Sequence, residues 1–295
     1  MSQVLPDFLI MTPDSNYVQA AERKWSLRLY SAMKSQRLRL NRTNSDQTRL
    51  YVPNNVLSAG IGFSYNRLGL DLGLNLNLAD ENVSERFDFQ GNIIFKPHII
   101  NFFIQQYGGL EVIEPNEGFR DDLETRAYGF NYFYRFNHKK LSLAAVMQGT
   151  EIQRKSTGQF SLGMFFNYTR LENDSLLLPA TPDNNINDPG KITNMMMGPI
   201  VSYSYVQVLP HNFFAFASLG PGTGINFNRS YENDWTLFTH RLVYKLHLRA
   251  TMGYAGERFY TLFSFFTESY FFEQLRSVDS GLDVAQFKLV AGYRL

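Results

Sequence analysis

The chain has 295 residues, with 28 Lys and Arg against 27 Asp and Glu, a net charge of +1, five His and no Cys. Without cysteine there are no thiolate metal sites, no thiol catalysis and no disulfides. The balanced charge removes the simplest argument for nucleic-acid binding, and no apolar run is long enough for a transmembrane helix.

Residues 1–23 lack the basic start and apolar core of a signal peptide. They read as an N-terminal periplasmic extension ahead of a body spanning 24–295. From there the sequence alternates with period two almost throughout. Candidate strands fall at 24–41, 54–66, 68–79, 86–97, 99–113, 124–137, 140–152, 158–171, 195–208, 212–226, 236–254, 257–272 and 282–295. In "LGLDLGLNLNLAD" (68–80), every second residue from Leu68 to Leu78 is leucine, with Gly69, Asp71, Gly73, Asn75 and Asn77 between them. In 126–137, Tyr128, Phe130, Tyr132, Tyr134 and Phe136 share one face. In 238–254, Leu242, Tyr244, Leu246, Leu248 and Met252 alternate with Arg241, Lys245, His247, Arg249 and Thr251. A helix would spread these sets around its circumference, whereas a strand separates them.

The segments are longer than the roughly 5–6 residues of ordinary soluble strands and suit a bilayer crossing. Tight turns ("NRLG", "KPH", "NHKK", "LPHN", "YAGER") alternate with longer polar stretches at 42–53, 80–86, 114–123, 172–193, 228–234 and 273–281. Aromatics mark strand ends at Trp25, Trp235, Tyr254 and Tyr293. These features predict an all-β fold: a single antiparallel up-and-down transmembrane β-barrel, apolar face to lipid and Gly/Asn/Ser-rich face to the lumen. A soluble β-sandwich or intracellular barrel shares the periodicity. The candidates number thirteen, and bacterial single-chain barrels have an even count. The doubtful zone is 150–195, where "EIQRKSTGQF" is a loop insertion or "SLLLPA" (175–180) a further strand. Twelve strands are favoured, with fourteen as the alternative. Whether loop 172–193 folds inward as a plug is open.

Arg241, Lys245, His247 and Arg249 face the lumen if their alternates face lipid, with Asp71, Asp88 and Glu268 as candidate partners. Such a set makes an anion-selective constriction or an acidic-ligand patch, or else a network that fills a small barrel. The acidic stretch "EVIEPNEGFRDDLE" (111–124) reads as a solvated surface loop, without the spacing of a calcium loop. "GPGTG" (220–224) lacks the ending of a phosphate loop and reads as a bend or close contact in a strand. His240 faces lipid near the outer leaflet, where a lipid hydrolase or acyltransferase could place a catalytic His. No Ser stands at its i±2 positions, Phe238 and Leu242, so a snorkelling interfacial His is the simpler reading. No cofactor or metal motif is found.

The C-terminus "FKLVAGYRL" (287–295) resembles the terminal strand of bacterial outer-membrane proteins, and its "GYR" followed by an apolar residue resembles barrels of the Bacteroidetes. "YVPNNVLSAGIGFSYNRLGLDLGLNL" (51–76), "FNYFYRFNHKKLSLAAVMQGTEIQRKSTGQFSLGMFF" (130–166) and "GPIVSYSYVQVLPHNFFAFASLGPGTG" (198–224) resemble a Bacteroidetes outer-membrane family known only as a domain of unknown function. The most specific part is Gln153, Lys155, Ser156 and Gly158; Thr157 and Gln159 depart from the family's pattern. The resemblance implies fold and location and no chemistry. It also implies that Phe287, Leu289, Tyr293 and Leu295 are read by the barrel-insertion machinery.

The sequence thus predicts an outer-membrane barrel, not an enzyme, that forms a narrow pore or ligand conduit. The alternative is a closed barrel serving as structural or accessory subunit of an envelope complex. Expected partners are outer-membrane lipid and lipopolysaccharide, the insertion machinery and such a complex, with no nucleic acid.

Overall fold

The computed structural model describes residues 13–20, 23–42, 48–54, 57–75, 83–114, 118–173, 191–232, 235–274 and 278–295. Its strands are β1 (Val18–Ala20), β2 (Trp25–Arg42), β3 (Thr48–Val52), β4 (Leu57–Tyr65), β5 (Leu68–Asn75), β6 (Glu85–Phe95), β7 (His98–Glu114), β8 (Gly118–Arg135), β9 (Glu151–Gln153), β10 (Thr157–Glu172), β11 (Lys191–Val208), β12 (Phe213–Glu232), β13 (Trp235–Ala255), β14 (Phe259–Gln274) and β15 (Val278–Arg294). β1 and β9 form a separate antiparallel pair, and the others make one antiparallel sheet closed by pairing of β15 with β2.

Closure is by twelve strands at the tight-turn end, where β2 is followed around the wall by β4, β5, β6 and β7. At the other end β3 bridges β2 directly to β7 and replaces those three strands, leaving ten among the described residues. β3 and β4 run along β2 in succession, interrupted after Val52 by Pro53, which cannot donate to the ladder. The wall therefore narrows by two strands away from the tight turns.

The expected faces are in place. On β13, Leu242, Tyr244 and Met252 are exposed while Val243, Lys245, His247 and Thr251 are buried. Tyr244 and Tyr254 stand ten residues apart on this strand, which at a strand tilt near 40° spans about 25 Å along the barrel axis, the height of a lipid-facing apolar band. Rings cluster around the tight-turn end: Trp25 against Tyr65 at 4.2 Å, Phe213 against Tyr254 at 5.4 Å and Phe259 against Tyr293 at 4.8 Å. Side chains of 228–240, including Trp235, lie outside the described residues. The turns use left-handed backbone at Asn66, Lys96, Asn137, His211 and Asn212, and asparagine tolerates that conformation best.

Three sequence expectations are corrected. Segment 140–152 is no wall strand. It is a turn, a π-helical turn (Ala144–Gln148) and β9, and its removal from the count resolves thirteen candidates into twelve strands. Within 111–124, residues 111–114 and 118–124 are strand and not loop, because β7 and β8 continue as a paired hairpin through Glu111↔Phe119 and Val112↔Gly118. Buried Leu110, Val112 and Leu123 hold its inner face. Within 42–53, residues 48–52 form β3, with Leu50, Tyr51 and Val52 buried. Loop 172–193 falls largely outside the described residues.

Candidate functional site

The connection from β8 to β10 folds into the barrel at the tight-turn end and stops it. Leu141 and Val146 have no solvent exposure, and Ala144 and Ala145 are 1% exposed. Leu141, Ala144 and Val146 pack with the inward side chains Ile94, Ile99, Phe133, Phe214, Tyr260 and Val290 in one apolar cluster. Apart from Ser142 the run 141–147 is apolar throughout, and protein surrounds nearly all of it. Polar groups tie it down. Arg67 donates to Glu151 at 2.9 and 2.5 Å, and Ser142 donates its hydroxyl to the other oxygen of that carboxylate at 2.5 Å. The Gln148 amide donates to the Arg67 carbonyl at 3.0 Å and also to Asn92. Arg294 donates to the carbonyls of Gly149, Gly256 and Glu257. Gly149 has a φ of +67°, and a Cβ there would strike the Tyr260 ring. A glycine is required on both counts.

β1 latches the stopper from below. Val18 faces Gln153, and Ala20 faces Glu151. The Gln153 amide donates to the carbonyls of Lys140 (2.8 Å), Lys155 (2.9 Å) and Tyr17 (3.2 Å), and its oxygen accepts from the Ser142 amide at 2.9 Å. The Tyr17 ring lies within 5.2 Å of the Lys140 ammonium and 5.7 Å of the Lys155 ammonium. His138 is held under its ordinary pKa by partial burial and by Arg135, Lys139 and Arg67.

Above the stopper lies a cavity of about 120 Å³ lined by Arg28, Asp71, Asn101, Asn131, His247, Arg249, Glu268 and Lys288 among others. Three carboxylates organise it. Asp71 accepts from Arg28 and Lys288, both at 2.7 Å. Asp88 accepts from Lys34 at 2.7 Å and Arg86 at 3.0 Å. Glu268 accepts from Asn131 (2.7 Å), Tyr270 (2.9 Å) and His247 (3.2 Å), with the Lys245 ammonium at 3.0 Å. Lys245 also donates to Asn131 at 2.6 Å and Tyr270 at 2.8 Å. Buried charges persist only when paired and hydrogen-bonded in this way. Yet this belt holds six cations (Arg28, Lys34, Arg86, Lys245, Arg249, Lys288) against three carboxylates, an excess of three positive charges. At the level of the long loops, inward Leu40, Tyr51, Tyr107, Leu110, Val112, Leu123, Leu171 and Ile192 form a second apolar cluster.

A profile of a family described as a domain of unknown function, DUF4421, matches residues 12–295. The chain belongs to this family. Comparison with curated proteins finds no match. Among solved structures, this DUF4421 barrel is similar to the outer-membrane protease OmpT of Escherichia coli, at 6% identity over 97% of this chain and 99% of that one, with a TM-score of 0.37. It is also similar to a Pseudomonas aeruginosa FadL homologue, at 9% identity over 92% and 90%, TM-score 0.32. A third similarity is to OmpT, an outer-membrane protein of Vibrio cholerae, at 8% identity over 91% and 100%, TM-score 0.30.

The structure of this DUF4421 barrel brings some of the sequence-selected residues together and separates others. Lys245, His247 and Glu268 form one cluster. Asp71 and Asp88 do not pair with the β13 cations. Their partners are Arg28 and Lys34 on β2, Lys288 on β15 and Arg86 on β6. The reason is local: Arg28, Gly62 and Asp71 are consecutive across β2, β4 and β5. A Cβ at Gly62 would meet both Asp71 and Arg28, so the missing side chain lets the ion pair lie flat over β4. Arg249 lines the cavity with its guanidinium 5.1 Å from the Phe266 ring. Arg241 is exposed, towards the long-loop end of β13. Phe287 and Leu289 on β15 and Leu295 just after it are exposed, and Tyr293 packs on Phe259. His240 lies on β13 opposite Phe227, its side chain outside the described residues. Sequence reasoning missed the anchors Arg67, Glu151 and Arg294. The family-like "QRKS" was the available signal, since Gln153 staples the stopper and the Ser156 hydroxyl accepts from the Val208 amide at 2.9 Å.

Proposed function

We propose that this chain is an integral barrel of the bacterial outer membrane, stoppered across its lumen, that retains a small polar solute instead of passing it continuously. The observation that carries this reading is the segment 141–152, buried inside the ring among apolar side chains and anchored by Arg67, Glu151 and Arg294. The exposed apolar outer face, with aromatic rings clustered at its tight-turn end, supports the location. A Bacteroidetes origin, and reading of Phe287, Leu289, Tyr293 and Leu295 by the insertion machinery, belong to the same proposal. So does docking on lipopolysaccharide or an envelope complex through the loops, which co-purification from native membranes would test.

The test is conductance in planar bilayers. The intact barrel is expected to be silent, and a variant with 141–152 replaced by a two-residue turn is expected to conduct. Steady conductance by the intact protein would overturn the reading. A second reading, a gated conduit, is favoured by the charged cavity directly above the stopper. It assigns Arg241, Lys245, His247, Arg249, Asp71, Asp88 and Glu268 to selectivity. It would show as brief anion-selective openings in the intact barrel whose selectivity falls in Arg249→Glu.

A further inference from the structure

We propose that the interior of the barrel is a binding site for a small oxyanion, carboxylate or phosphate, centred on Arg249. The inference deepens the reading of a stoppered barrel, and rests on it only for retention of the ligand; binding and conductance fail independently.

Arg249 differs from its neighbours. Every other cation of the charged belt has a carboxylate partner within 3.0 Å. Among the described residues Arg249 has neither an ion pair nor a hydrogen bond; its guanidinium lies against the face of Phe266, and the carboxylates of Glu268 and Asp71 act on it only from beyond ion-pair distance. It lines both the central cavity and a second one of about 40 Å³. A guanidinium stacked on a ring and open to a cavity presents its N–H fork to whatever enters, a geometry suited to bidentate contact with a planar or tetrahedral oxyanion.

The surroundings supply the rest of such a site. The second cavity is walled by Ser202, Ser204 and Ser218, whose hydroxyls bond one another at 2.9 and 3.1 Å and can turn to donate. Asn101 lines both cavities, and its side-chain oxygen is buried without a partner. An anion that also carries a hydroxyl, such as hydrogen phosphate or a hydroxycarboxylate, satisfies Arg249 and Asn101 together. The belt's excess of three cations supplies the field that draws an anion in. The central volume holds a solute of a handful of heavy atoms and excludes a large one.

The experiment titrates the folded, detergent-solubilised barrel with inorganic phosphate, with lactate and with chloride, reading thermal unfolding and calorimetric heat. The protein is refolded in each salt so that the stopper does not bar entry. Phosphate or lactate is expected to bind and raise the unfolding temperature, and chloride to do neither. Binding should weaken about tenfold or more in Arg249→Gln, the scale of one charged hydrogen bond lost, and partly recover in Arg249→Lys. Arg126→Gln, which removes an exposed cation paired with Glu124, should leave binding unchanged. Response to one salt alone identifies phosphate or carboxylate as the ligand chemistry. No response to either, or equal affinity in Arg249→Gln, overturns the proposal. Should Arg249→Gln fail to refold, the intact protein's discrimination between phosphate or lactate and chloride, together with the Arg249→Lys titration, decides it.

Discussion

Gly62 shows how a residue without a side chain sets the chemistry of the interior. Arg28 and Asp71 stand on strands separated by β4, and they meet because nothing rises between them. Gly62→Ala would force a methyl against both groups. The strained pair must shift or part, at a cost of about 1–3 kcal/mol in denaturant unfolding, typical of overpacking. Gly281→Ala is the control: its Cβ would meet nothing nearer than a carbonyl oxygen at 3.8 Å, and its effect should stay within about 0.5 kcal/mol. Equal effects at the two positions would show that the ion pair has room to spare. Residues of this kind are hard to read from sequence. Alternation could put Lys245, His247 and Asp71 on the inner face of their strands, because parity depends only on neighbours along the strand. Partner choice depends on which strands adjoin and how tall the intervening side chains are, and neither is written in the local pattern.

The stopper is the element that sequence periodicity misplaced. "LSLAAVM" (141–147) reads as one more strand because a short apolar run is equally compatible with a wall strand and a buried plug. What separates them is the absence of a polar alternate face, together with Gly149 and the polar cluster Glu151–Gln153 immediately after. Gln153 is where the segment can be loosened. Gln153→Ala takes the side-chain donor from the carbonyls of Lys140 and Lys155 and the acceptor from the Ser142 amide, while the Tyr17 carbonyl keeps the Arg154 amide, at about 1–3 kcal/mol for each group that water cannot reach. The wall is untouched, so the barrel should stay folded by its resistance to unfolding in detergent while trypsin cleaves faster at Lys140, Arg154 and Lys155. Cleavage as slow as in the intact protein would mean that β1 and the Arg67–Glu151 pair hold the stopper without this staple.

At the scale of the molecule, everything turns on which face meets which medium. A soluble barrel hides its apolar face and wets its polar one. Here the charged groups are inside, with Lys245 3% and Glu268 4% exposed, while Leu29, Ile61 and Leu242 are more than 60% exposed. Burying so many charges is unfavourable in itself. The arrangement makes sense only if the outside offers no water, so that an apolar outer surface costs nothing and the interior is the one place for polar groups. Leu248→Arg puts this to the test, since the residue belongs to the outward-facing set of β13 and stands near the middle of the band between Tyr244 and Tyr254. In a bilayer the substitution should cost about 2–4 kcal/mol, falling towards about 0–1 for the same change near the interface, at Tyr254. On a water-facing surface both changes would stay within about 0.5 kcal/mol and show no dependence on height. A flat profile from Leu248 to Tyr254, measured by reversible unfolding in the presence of lipid vesicles, would remove the membrane from the account and the logic of the charged interior with it.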